Sequence, residues 1–232
     1  MRPATRFGLL FLPLCAALAQ TPPAVAEILS KVGQTYKAAA DYELVADLTV
    51  RENGAITRGH LLLAFKSPGR YRLEGALPGL GLGPVGGKAV VVYDGEAVWF
   101  YLPEPNGYAS FPASALTGDA PGDLGDLRPA VVDHFLMWRY RGAADFAAGA
   151  KFLREETLEI AGAKLACYVV TVSPAKGESA YTWWVDKLRY RILREDHGTT
   201  SSVFTTVNLD EPPAAELFKF VPPAGARQLQ MR

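Results

Sequence analysis

Residues 90–103 read Val-Val-Val-Tyr-Asp-Gly-Glu-Ala-Val-Trp-Phe-Tyr-Leu-Pro. Two apolar runs meet at Asp94-Gly95, a dipeptide that accepts the positive φ angles of a tight type I′ turn. Both runs are rich in β-branched and aromatic residues, so each reads as a strand. A half-exposed hairpin alternates apolar with polar side chains. Here valines and aromatics occupy both parities of both arms, which predicts a hairpin covered on each face.

The neighbouring sequence extends the sheet. Tyr42, Leu44, Ala46, Leu48 and Val50 alternate with mainly polar residues, the pattern of a half-buried strand. Asn53-Gly54 marks a turn, and residues 58–66 return as a second strand. Ser67-Pro68-Gly69 breaks it before a third strand at 70–75, with Tyr71 and Leu73 on one face. Beyond the hairpin, Asn106-Gly107 turns into a short strand at 108–111. Further strands fall at 152–161, 163–172, 181–186, 190–196, 201–210 and 219–221. The meander-like spacing predicts one large antiparallel sheet of roughly ten or eleven strands, a size at which sheets curl.

Two segments have helical period. In residues 23–40, Val25, Ile28, Leu29, Val32 and Tyr36 share a face. In residues 128–142, Val131, Val132, Phe135, Leu136 and Trp138 do so. These helices are the candidate covers for the central hairpin, one for each side. A glycine-rich loop at 76–88 and a Gly/Pro/Asp-rich linker at 112–127 separate the parts.

The chain has 232 residues with 24 basic and 24 acidic side chains, so nothing in its charge favours a polyanionic partner such as nucleic acid. Arg2 and Arg6, the apolar run 7–18 and Ala17-Leu18-Ala19 form a signal-peptide pattern, with cleavage expected before Gln20. Residues 20–232 then make a single exported domain without a membrane span. Cys15 lacks the small preceding residue of a lipidation site, and Cys167 between apolar strand residues reads as a small buried hydrophobe.

Catalytic patterns fail on context. Gly81-Leu-Gly83-Pro-Val-Gly86 matches a dinucleotide fingerprint, but a strand follows where a helix N-terminus is needed. His60, His134 and His197 fall on three different elements, without metal-ligand spacing. Glu155-Glu156 and Glu195-Asp196 are adjacent strand residues that point to opposite faces. Ser173-Pro-Ala-Lys176 lies in a loop, and the sequence after Ser179 lacks the glycine of a nucleophile elbow. The expectation is a non-enzyme with no cofactor and no metal. Aromatic residues concentrated in one curved sheet fit either an apolar ligand pocket or an ordinary core.

Asp94-Gly95 followed by Trp99, Tyr101 and Pro103 resembles the hairpin motif of the periplasmic outer-membrane lipoprotein carriers, the LolA/LolB-like superfamily. Phe218-x-Phe220-x-Pro222-Pro223-x-Gly225 is similar to its C-terminal signature, and Pro68 with Tyr71 and Leu73 to its strand after a basic-Pro turn. The resemblance implies a mainly β (α+β) fold, a strongly curved antiparallel sheet forming an incomplete barrel with helices covering its concave face. It also implies a cavity for acyl chains, each buried CH₂ contributing about 0.8 kcal/mol. Leu61, Leu63, Phe65, Tyr71, Leu73, Trp99, Tyr101, Trp183, Phe135 and Trp138 are the residues expected to line it.

One departure concerns the family's arginine just before the proline, which helps hold the closed lid. Ser67 stands there, and Lys66 one place earlier points to the opposite face of a strand. The implied function is a monomeric, non-enzymatic periplasmic carrier for a lipoprotein's acyl chains or lipid, working with envelope membrane proteins. The alternative on the same fold is an envelope sensor or assembly module that binds a protein partner through its sheet edge or the strand at 189–191.

Overall fold

The computed structural model describes residues 23–75, 88–112, 137–173 and 179–229. The expected signal peptide, the glycine-rich loop and most of the 112–127 linker lie outside them. Helix α1 (Val25–Ala38) leads into β1 (Tyr42–Glu52), β2 (Ala55–Lys66) and β3 (Arg70–Gly75). The central hairpin is β4 (Ala89–Tyr93) and β5 (Ala97–Leu102), followed by β6 (Gly107–Pro112). A short helix α2 (Met137–Arg141) and a 3-10 helix (Ala143–Gly149) precede β7 (Lys151–Ile160) and β8 (Ala163–Val172). Then come β9 (Tyr181–Asp186), β10 (Ile192–His197), β11 (Thr200–Asn208), a 3-10 turn (Ala215–Phe218) and β12 (Arg227–Gln228).

The twelve strands of the described residues belong to one sheet, in the order β12-β6-β5-β4-β3-β2-β1-β11-β10-β9-β8-β7. Every pairing is antiparallel except β12 with β6. Laid flat, such a sheet would span roughly 50 Å at the usual strand spacing. Yet Leu73, Val91 and Phe100 from one limb share a single buried cluster with Val170, Trp183 and Val185 from the other. The sheet is therefore strongly curved and open, with its main core on the concave side.

Local turn chemistry explains several corners and corrects one. Asn53 and Gly54 both take positive φ, 51° and 80°, as a type I′ turn requires. At the central hairpin only Gly95 does so, at 106°. The expected type I′ turn is replaced by a wider loop in which the Asp94 side chain does the capping. Its Oδ1 accepts the backbone N–H groups of Glu96 at 2.8 Å and Ala97 at 2.9 Å. Two strand ends also differ. Tyr190 sits in a turn at φ 54°, so β10 starts at Ile192. Residues 219–221 form no strand, and the closing strand is β12 instead.

The covers are also arranged differently. Both helical segments lie on the concave side rather than one on each face. Gly33 of α1 meets the Arg141 carbonyl so closely that a Cβ there would stand 3.1 Å from the oxygen. The Tyr36 and Tyr140 rings pack beside it at 4.9 Å. The convex side of β4 and β5 is covered by the C-terminal segment, whose Phe220 ring stacks on Trp99 at 5.3 Å. Of the predicted helix at 128–142, residues 137–141 are helical, and its earlier positions lie outside the described residues. Elsewhere on the convex side, Trp184, Leu193, Cys167, Val169 and Ile160 form a second buried cluster. The Arg194 guanidinium roofs it, 4.3 Å above the Trp184 ring.

Candidate functional site

Strand register builds the concave face row by row. Leu44 of β1 pairs with Leu63 of β2, Leu63 with Leu73 of β3, and Leu73 with Val91 of β4. Val91 then pairs with Phe100 of β5, and Phe100 with Ala109 of β6. Six strands thus contribute one unbroken apolar row, every member buried. The adjoining row carries rings: Tyr42 stacks on Phe65 at 5.4 Å, and Tyr71 meets Tyr93 at 5.7 Å. Trp183 enters the same cluster from the opposite limb, with the Phe146 ring 6.1 Å away.

Six of the ten expected lining residues therefore meet on the concave side: Leu61, Leu63, Phe65, Tyr71, Leu73 and Trp183. Trp99 and Tyr101 do not join them. Alternation sends their neighbours Val98 and Phe100 inward, and the two side chains outward to the convex face. There Trp99 Nε1 donates to Asp94 Oδ2 at 2.8 Å, and the Tyr101 hydroxyl bonds Asn106 Oδ1 at 3.0 Å. Phe135 lies outside the described residues, and of Trp138 only the backbone, in α2, belongs to them.

The concave side also holds a polar cluster that pattern reading missed. Glu195 is 6 % exposed. Its carboxylate accepts Arg139 Nη2 at 2.7 Å, the Tyr140 hydroxyl at 3.1 Å and Trp183 Nε1 at 2.8 Å. The Arg139 guanidinium lies 4.4 Å over the Tyr181 ring, whose other neighbour is His197, stacked at 4.1 Å. Burial works to lower the Arg139 pKa, but the charge of Glu195 together with Tyr140 and Tyr181 outweighs it and holds the value above the ordinary one. Burial first, and then Glu195, push the Tyr140 hydroxyl well above its usual range, so it stays protonated and donates. A carboxylate with three donors is no free base. Its role is to fasten α2 onto β9 and β10.

A bulge puts Glu195 there. Ile192 pairs with Val185 while Arg194 pairs with Trp184, so one extra residue stands between them. Leu193 and Arg194 consequently both serve the convex cluster, and Glu195 turns inward. No signal in the sequence marks that extra residue. Among the described residues, no group of three or more His, Cys, Asp or Glu side chains could hold a metal. No described helix is long and apolar enough to cross a membrane.

Sequence comparison matches no protein-family model and no curated protein. Solved structures do match. An uncharacterized conserved protein from Thermus thermophilus is 14% identical at TM-score 0.44, the match covering 89% of this chain and 99% of that one. In the MucA/MucB complex of Pseudomonas aeruginosa the figures are 14% and 0.46, with 86% of this chain and 62% of that chain covered. NE2245, a LolA superfamily protein from Nitrosomonas europaea, is 10% identical at TM-score 0.30, with 86% and 99% covered. Two of the three motifs that resemble the LolA-like superfamily, the 94–103 hairpin and the 218–225 segment, are far apart in sequence and form one unit on the convex face. Asp94 caps Trp99, and Phe220 of the C-terminal signature packs against Trp99, Tyr101 and Tyr108. These residues lie on the side of the sheet away from the apolar row.

Proposed function

We propose that this protein is a non-enzymatic periplasmic carrier or binding protein that holds the acyl chains of a lipoprotein or lipid against the concave face of its open sheet. The observation that carries this reading is the apolar row Leu44–Leu63–Leu73–Val91–Phe100–Ala109, continuous across six strands. A methylene chain needs a surface of this kind, without charges along its length, and each CH₂ withdrawn from water contributes about 0.8 kcal/mol. The helical cover packs Ile28, Leu29, Val32, Tyr36, Met137 and Tyr140 onto this face, with polar contacts around Glu195 beside them, and on this reading acyl chains take the place of that cover.

The test is direct. Protein purified from the periplasm and extracted with organic solvent should yield lipid by mass spectrometry, and the emptied protein should bind an acyl fluorophore. Leu63→Gln should weaken that binding at least tenfold, while Ile56→Gln, at an exposed position, should leave it unchanged. Protein that is reproducibly empty and leaves the fluorophore unshifted would refute the carrier reading.

A partner-binding module on the same fold is the second reading. It is favoured by β7, which ends the sheet over ten residues with nothing paired beyond it among the described residues. Pull-down of an envelope protein, lost on placing a proline in β7, would support it over the carrier.

A further inference from the structure

The convex face carries a cavity of about 450 Å³ between β3–β5 and the C-terminal segment. Its walls combine two chemistries. On one side are Tyr101 and Phe220, whose ring centroids stand 6.2 Å apart. Phe220 is also held by Trp99 at 5.3 Å and Tyr108 at 5.9 Å, so this aromatic wall is already in place. On the other side are Arg72, Lys88, Lys219 and Glu74. Among the described lining residues, three cations against one carboxylate give a net charge of +2.

The single carboxylate is already occupied. Glu74 Oε2 accepts Arg72 Nε at 3.1 Å and Nη2 at 2.7 Å, and Oε1 pairs with Lys88 Nζ at 2.5 Å. Burial would raise the Glu74 pKa, but these two cations hold it below the usual carboxylate value, so the charge count stands at neutral pH. Arg72 Nη1 also donates to the Leu217 carbonyl at 3.3 Å, tying the C-terminal segment to β3. Lys219 has no ion-pair partner among the described residues, and its ammonium is therefore available.

We infer that this cavity is a binding site for a small organic anion with a flat aromatic body, its acidic group meeting Lys219 and Lys88 and its ring lying against Tyr101 and Phe220. The volume falls within the range of small-molecule pockets, about 300–1,000 Å³, and the lining is the usual mixture of apolar wall and a few charged groups. The site lies on the opposite side of the sheet from the proposed acyl face and does not depend on it.

The probe is 1-naphthoate, titrated calorimetrically into the full protein, with neutral 1-naphthalenemethanol as comparison. Naphthoate should bind with one-to-one stoichiometry, and the alcohol at least tenfold more weakly. Lys219→Glu, a change at an exposed side chain, should weaken naphthoate at least tenfold while leaving the circular dichroism spectrum and urea midpoint unchanged. The Trp99 indole N–H resonance, beside Phe220, should shift on saturation. Equal affinity for acid and alcohol, indifference to Lys219→Glu, or no binding at millimolar naphthoate would each overturn the inference. An acyl fluorophore on the concave side should not be displaced by naphthoate, and displacement would also overturn it. Calorimetry reads this site whether or not the fluorophore binds, so failure of the carrier reading stays distinguishable.

Discussion

Asp94 joins two tasks in one carboxylate. Oδ1 closes the hairpin loop through two backbone N–H groups, and Oδ2 fixes the Trp99 indole on the convex side. In Asp94→Asn an oxygen can still cap the loop, but an NH₂ then faces the indole N–H. The expected loss is about 1–2 kcal/mol by urea denaturation at pH 7, the lower end of the range for a hydrogen bond to a charged group, because the pair is only partly buried. The pH dependence has a definite sign. Burial alone would raise the Asp94 pKa, but the N–H groups of Ala97, Glu96 and Trp99 outweigh it and hold the value below the ordinary 3.8. A depressed carboxyl pKa contributes stability that is present above the unfolded value and lost as pH falls through the folded one. The gap between wild type and Asp94→Asn should therefore be constant near neutrality and narrow below about pH 4.

At the scale of elements, the central hairpin shows how alternation and covering interact. Its two apolar parities were legible in the sequence because valines and aromatics fill both, and two covers followed. Which cover meets which face was not legible, since β4 and β5 are equally apolar on either side. The close approach of Gly33 to Arg141 lets α1 and α2 pair on the concave side, leaving the convex side to the C-terminal segment. Phe220 is that segment's anchor. Phe220→Ala should cost about 2 kcal/mol, less than the roughly 3–5 kcal/mol of a fully buried ring. It should also shift Trp99 emission to the red and leave acyl binding unchanged.

Across the whole molecule, the Glu195 cluster connects the helical cover to the curved sheet. Arg139 and Glu195 have side chains only 13% and 7% exposed, so neither charge is well solvated. Removing one partner of such a pair costs about 3–5 kcal/mol, because the other is left buried and uncompensated. Glu195→Ala should show that loss in urea and faster hydrogen exchange at the α2 amides. Glu195→Gln, which keeps an acceptor for Trp183 or Tyr140, should lose less. A small difference between wild type and Glu195→Ala would mean that α2 is held by apolar packing alone.

The sequence by itself determined the mainly β class, the single curved sheet, the α1 helix and most strand positions. It could do so because period-two alternation and turn residues such as Asn53-Gly54 are local properties, written within a few residues. It also determined which residues are apolar enough to be buried, since both faces of the hairpin needed covering. Only the tertiary structure decided which side of the sheet each of them serves. Trp99 and Tyr101 went to the convex face because their parity is opposite to that of Phe100. Glu195 turned inward because one bulged residue reversed the parity of β10. Side-chain direction on a strand flips with every single-residue shift, and such shifts depend on neighbouring strands far away in sequence.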